Sequence, residues 1–110
     1  MAMFFKRRGV IAAALLVLWS FAPAAATGAD EVTFDNFAFT PQILQVKAGT
    51  TVTFVNHDDI PHSVVSETGA FRSRALDTDE KYTFTFAKAG EFAYFCGLHP
   101  FMKGKVVVVP

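Results

Sequence analysis

Cysteine is all but missing: Cys96 is the only one in 110 residues, so no disulfide can form within the chain. An excess of positive charge is missing too. Ten Lys and Arg stand against ten Asp and Glu, which excludes the basic face of a nucleic-acid binder. Tryptophan occurs once, at Trp19. Beyond the N-terminal segment no long window carries a helical apolar period, and there is no internal repeat or low-complexity tract. No Ser-His-Asp or paired-carboxylate arrangement is identifiable, and Asp58-Asp59 reads as a solvated turn. These gaps argue against an enzyme and leave a small β-rich domain whose stabilising device is not a disulfide.

The N-terminus carries Lys6, Arg7 and Arg8 ahead of an apolar stretch from Gly9 to Ala22, with small residues following. That order is the pattern of a cleavable secretory signal. Residues 1–29 are therefore expected to be a signal peptide, cleaved after Ala26 or after Ala29. The competing reading, an uncleaved anchor, is disfavoured because the run falls short of the ~20 apolar residues of a spanning helix and ends at Pro23. Arg7-Arg8 also leaves a twin-arginine export route open beside the general one. Without residues 1–29 the balance is seven basic against ten acidic residues, a net charge of −3. The remaining 30–110 make one domain, at a size where a hydrophobic core alone is marginal. A bound metal is the obvious staple.

Residues 30–110 read as strands. Val32, Phe34, Phe37 and Phe39 alternate with polar or small residues, with a possible irregularity at Asp35-Asn36. "ILQVKAGTTVTFVN" gives a run to Val46, a turn through Lys47-Ala48-Gly49, and a second run to Asn56. "HSVVS" is short, "KYTFTF" puts Tyr82, Phe84 and Phe86 on one face, Ala87 to Gly90 turns, "EFAYF" returns and "KVVVV" closes. Ala70 to Asp79 is the least regular part and is expected to be a loop. Seven to eight short strands with regular turn signals predict an all-β fold, an antiparallel Greek-key sandwich or barrel.

Chemistry concentrates between the last two runs. Cys96 ends one predicted strand, and His99 and Met102 follow at intervals of three before a strand starting at Lys105. A loop so short brings thiolate, imidazole and thioether toward one point. Those soft and borderline donors suit copper. Zinc accepts Cys and His but binds a thioether poorly, and a two-copper electron-transfer site needs a second bridging cysteine. Taken singly the features are weak, since a lone cysteine or methionine usually fills core. In an exported domain, however, a free thiol is open to oxidation unless something occupies it. A second histidine must come from elsewhere. His62 follows Pro61 and opens a strand, a rigid position suited to a ligand, whereas His57 lies in polar "NHDD" and reads as a solvated loop residue. The expected metal site is therefore His62, Cys96, His99 and Met102 around one copper ion. With only His57 left over, no separate catalytic copper centre can be built. A copper carrier or store remains the alternative to an electron carrier, although carriers usually display exposed Met and His clusters.

At these residues the chain resembles the cupredoxins, and among them the amicyanins, over nearly all of Val32 to Val109. "CGLHPFMKGKVVV" matches the amicyanin copper loop in length, and "DDIPHSVV" matches the segment around the family's upstream histidine. The resemblance implies a type 1 (blue) copper protein cycling between Cu(I) and Cu(II). His62, Cys96 and His99 would form the trigonal plane and Met102 the long axial contact. Asn56 would tie the ligand loops together, with Asn56 and the backbone around Gly97 donating hydrogen bonds to the sulfur. Gly97 stands where amicyanin has a hydroxyl residue. His99, flanked by Leu98, Pro100 and Phe101, would lie in an apolar surface patch. The signal peptide predicts a periplasmic setting, and a monomer is the default state. The implied partners are a quinoprotein amine dehydrogenase as donor and a c-type cytochrome as acceptor.

Overall fold

The computed structural model describes residues 30–110; the expected signal peptide, its cleavage sites and the Arg7-Arg8 pair lie outside them. Eight strands follow in order: β1 (Glu31–Asp35), β2 (Ala38–Thr40), β3 (Ile43–Lys47), β4 (Thr50–Asn56), β5 (Val65–Ser66), β6 (Lys81–Phe86), β7 (Gly90–Phe95) and β8 (Lys103–Val109). They build two four-stranded sheets, ordered β2-β1-β4-β6 and β3-β8-β7-β5. Among the described residues no helix is long and apolar enough to cross a membrane.

Period-2 alternation explains the strands. In β4, Val52, Phe54 and Asn56 are buried on one face, and in β8 Gly104, Val106 and Val108 do the same, as the pleat requires. Four pairings are antiparallel, as expected. The β1–β4 and β3–β8 pairings are parallel instead. Alternation reports which face a residue occupies and carries no information on strand direction, so these two were invisible in the sequence.

Several boundaries shift: Lys47 belongs to β3, and the run expected from His62 is strand only at Val65 and Ser66, with His62 in an isolated bridge. The first predicted run breaks at Asn36 and Phe37, which take φ of 51° and 59° and turn the chain into β2. This left-handed conformation is tolerated by Asn and unusual for Phe. Phe37 therefore leaves the core side and is 40% exposed. Gly90 belongs to β7 and not to the turn before it, and β8 begins at Lys103, two residues before the expected Lys105.

The core between the sheets is aromatic. Phe34 meets Phe39 edge-on at 4.9 Å between ring centres, and Tyr94 meets Phe39 at 4.9 Å and Phe54 at 5.5 Å. Such edge-to-face pairs add about 0.5–1.5 kcal/mol each beyond the area they bury. The irregular 70–79 segment is not a free loop. Phe71, Ser73 and Leu76 are buried, and isolated bridges pair Val65 with Arg72 and His62 with Leu76. The second of these bridges positions the functional site.

Candidate metal centre

Cys96 directly follows β7 and is fully buried. The loop from Cys96 to Met102 is closed by its own backbone. The His99 N–H donates to Cys96 O (3.2 Å), the Met102 N–H to His99 O (2.9 Å) and the Cys96 N–H to Met102 O (3.1 Å). Successive turns of this kind hold the three donor residues on one short frame. Met102 is 2% exposed, and His99 is half-buried. His62 arrives from the other sheet connection. Its backbone is locked to Leu76 by a reciprocal pair of hydrogen bonds, 3.1 and 2.7 Å, and its side chain is wholly buried.

Here the two loops meet. His62 Nδ1 lies 3.6 Å from Cys96 Sγ, and the His62 and His99 rings are 5.1 Å apart between centres. The Ser63 N–H donates to Cys96 Sγ at 3.3 Å, and the Gly97 N–H donates to Ser63 Oγ at 2.9 Å. Ser63 is thus the residue that ties the loops and feeds the sulfur. The role expected of Asn56 is overturned by its geometry: its Nδ2 donates to Ile60 O and Leu76 O, both at 2.9 Å, and its Oδ1 accepts from the Asp58 N–H at 2.8 Å. With its amide committed to that loop, no donor is left for the thiol. The backbone at Gly97 likewise reaches Ser63 and not the sulfur.

Two residues near the site had been missed or misread. Asp58 is no solvated turn residue: its side chain is 13% exposed and Oδ2 sits 2.8 Å from His62 Nε2. That hydrogen bond, foremost, holds the Asp58 carboxyl below the usual carboxylate range, with the Phe37 and Asp59 N–H groups acting in the same sense. Asp59 is exposed as expected. Phe37 packs its ring edge-on against His62 (5.5 Å) and His99 (5.1 Å) and lies 6.0 Å from Phe101. The apolar surface around His99 therefore comprises Leu98 (49% exposed), Phe101 (69%) and, unexpectedly, Phe37. Asn36 ahead of a break in alternation was the available signal. His57 stays on the rim, half-exposed beside Asp79 at 3.4 Å.

The family model described as cupredoxin-like domain matches residues 9–108. The chain belongs to the cupredoxin-like family. Amicyanin of Paracoccus versutus is 45% identical over 74 residues, covering 63% of this chain and 55% of that protein. Amicyanin-alpha of Methylorubrum extorquens is 34% identical over 109 residues, covering 94% of this chain and 89% of that protein. The cupredoxin thus spans about half the length of the first relative and most of the second. Among solved structures, an oxidised point mutant of amicyanin superposes with a TM-score of 0.70 at 35% identity, covering 76% of this chain and 85% of that one.

Whether this cupredoxin's residues suit copper can be judged from their donor chemistry. Among the described residues no three His, Cys, Asp or Glu side chains converge as a metal-holding group; His62 and Cys96 meet at 3.6 Å, and the His99 ring stands 5.1 Å from that of His62. A buried thiol receiving one N–H bond, an imidazole nitrogen facing it, a second imidazole beside the first and a buried thioether are soft and borderline donors. They fit copper and leave nothing for a hard, oxygen-seeking ion.

Proposed function

We propose that this cupredoxin is a mononuclear type 1 copper protein that carries single electrons between redox proteins, with His62, Cys96, His99 and Met102 as its ligands. The observation that carries the reading is the 3.6 Å approach of His62 Nδ1 to Cys96 Sγ between two loops already locked by protein hydrogen bonds. Bound copper would supply a one-electron couple between Cu(I) and Cu(II). The chain's part is to hold the donors still. The Cys96–Met102 backbone bonds, the Ser63 links and the His62–Leu76 pair fix the ligands before any ion arrives, so little must move when charge changes. The amicyanin and plastocyanin relatives support a carrier and not an enzyme.

Phe37, Leu98 and Phe101 around half-buried His99 offer a small apolar contact suited to weak, transient electron-transfer encounters. By analogy with the amicyanins, the donor would be a quinoprotein amine dehydrogenase and the acceptor a c-type cytochrome. The pattern of residues 1–29 supports export to the periplasm, leaving 30–110 as the copper domain. Copper carriage or storage is the rival function. It is disfavoured because the donors are enclosed rather than displayed.

Adding Cu(II) to purified residues 30–110 and recording visible absorption and EPR tests the proposal. An intense thiolate-to-copper band with narrow hyperfine splitting is expected, and tight Cu(I) uptake without colour would favour carriage. His57→Ala is expected to leave band and splitting nearly unchanged, because His57 points to Asp79 at the rim. A lost or shifted band in that variant would reassign the upstream ligand.

A further inference from the structure

We infer that Asp58 is a positioning residue for His62: its carboxylate fixes which ring nitrogen carries the proton, turns the bare Nδ1 toward Cys96, and biases the centre toward its more highly charged oxidised state. The last part rests on the copper reading above; the first does not. A carboxylate can only accept. At 2.8 Å from Asp58 Oδ2, Nε2 of a neutral His62 must therefore carry the hydrogen, which leaves Nδ1 with a lone pair on the side facing Cys96 Sγ. Carboxylate partners of this kind orient metal-binding imidazoles and raise their basicity. A more basic donor favours Cu(II) over Cu(I).

The carboxylate is itself built in. Oδ2 accepts from the Phe37 N–H at 3.2 Å and Oδ1 from the Asp59 N–H at 3.2 Å. The Asp58 N–H donates to Asn56 Oδ1 at 2.8 Å, and Thr78 Oγ1 donates to the Asp58 carbonyl at 2.7 Å. Three separate segments thus hold this residue: the β1–β2 turn at its carboxylate, and the end of β4 and the 77–79 loop at its backbone. The left-handed Phe37, with φ of 59°, presents its N–H to that oxygen. Strained residues persist where surrounding structure over-determines them, often beside functional groups. An ordinary surface ion pair would show none of this: the His62 side chain is fully buried and that of Asp58 nearly so.

The experiment has two independent arms. In copper-free protein at mildly alkaline pH, nitrogen-15 NMR of the His62 ring should show the Nε2–H tautomer in the wild type and loss of that preference in Asp58→Ala. An Nδ1–H tautomer in the wild type, or no change in the variant, overturns the inference whether or not copper binds. In copper-loaded protein, Asp58→Asn keeps an acceptor oxygen but removes the charge. The ratio of Cu(II) to Cu(I) affinity should fall by ~10-fold or more, read as a rise in reduction potential of about 59 mV per tenfold step for a one-electron couple. A ratio unchanged within ~2-fold on that scale overturns the electronic part. Failure of the wild type to bind copper sinks the function while leaving the tautomer arm to decide the positioning role.

Discussion

Cys96→Ser abolishes the blue band and most of the copper affinity while leaving the fold intact: that is the result expected of the largest functional substitution. The thiol is fully buried and receives the Ser63 N–H at 3.3 Å. A serine hydroxyl fits the same space and can accept the same bond, so the copper-free variant should lose no more than about 1–2 kcal/mol. The hydroxyl stays protonated at neutral pH and is a hard donor, whereas the thiolate is soft and is the metal-binding form. No sulfur-to-copper charge transfer can then occur. Copper also stabilises whatever binds it, by about 2.7 kcal/mol at a free concentration of 100 times Kd. Thermal melts with and without copper should therefore diverge for the wild type and coincide for the variant. An intense blue band surviving in Cys96→Ser would remove Cys96 from the ligand set and the electron-carrier proposal with it.

Local signals carried far in this chain. Alternation located the strands to within a few residues, and the Cys96-His99-Met102 spacing marked the loop whose backbone the fold closes on itself. What escaped notice depended on contacts between distant segments. The parallel partners of β1 and β3 come from β4 and β8, and no local period encodes such a choice. Asp58 looked like a solvated acid because "NHDD" is polar. Its burial follows from the β1–β2 turn and the 77–79 loop closing over it, which neighbouring residues cannot reveal. The resemblance points to Asn56 as a donor to the sulfur, yet Ser63, adjoining the proposed ligand His62, is the residue placed to donate to Cys96 Sγ. Phe37 reads in the sequence as part of the first apolar run, with an irregularity at Asp35-Asn36 ahead of it. The left-handed pair at Asn36 and Phe37 turns it instead onto the two histidine rings.

Gly104→Ala should be among the most destabilising single-methyl additions in the molecule, because β8 passes there over a buried ring. Gly104 pairs with Tyr94 across the β7–β8 ladder. A Cβ on it would lie 2.5 Å from both Cζ and Oη of Tyr94 and 2.8 Å from Cε1, distances real Cβ atoms do not tolerate. The ring cannot retreat. It is 0% exposed and hemmed by Phe39 at 4.9 Å, Phe54 at 5.5 Å and Phe71 at 6.3 Å; burial alone pushes its phenol well above the ordinary range. Overpacking of this kind costs about 1–3 kcal/mol and at times more, against a total of roughly 4–12 kcal/mol for a domain of this size. A fall in Tm of about 10–20 °C follows for the upper part of that range. The damage should also reach the metal site, since Tyr94 and Gly104 each stand two residues from a proposed ligand, Cys96 and Met102. Adding Tyr94→Leu removes the obstructing end of the ring, so the double variant should lose less than the two singles together, with a coupling of about 0.5–3 kcal/mol. If Gly104→Ala instead melts with the wild type, the close approach of β8 to Tyr94 is not what holds this face of the sandwich. If the two losses simply add, the strain lies somewhere other than between these two residues.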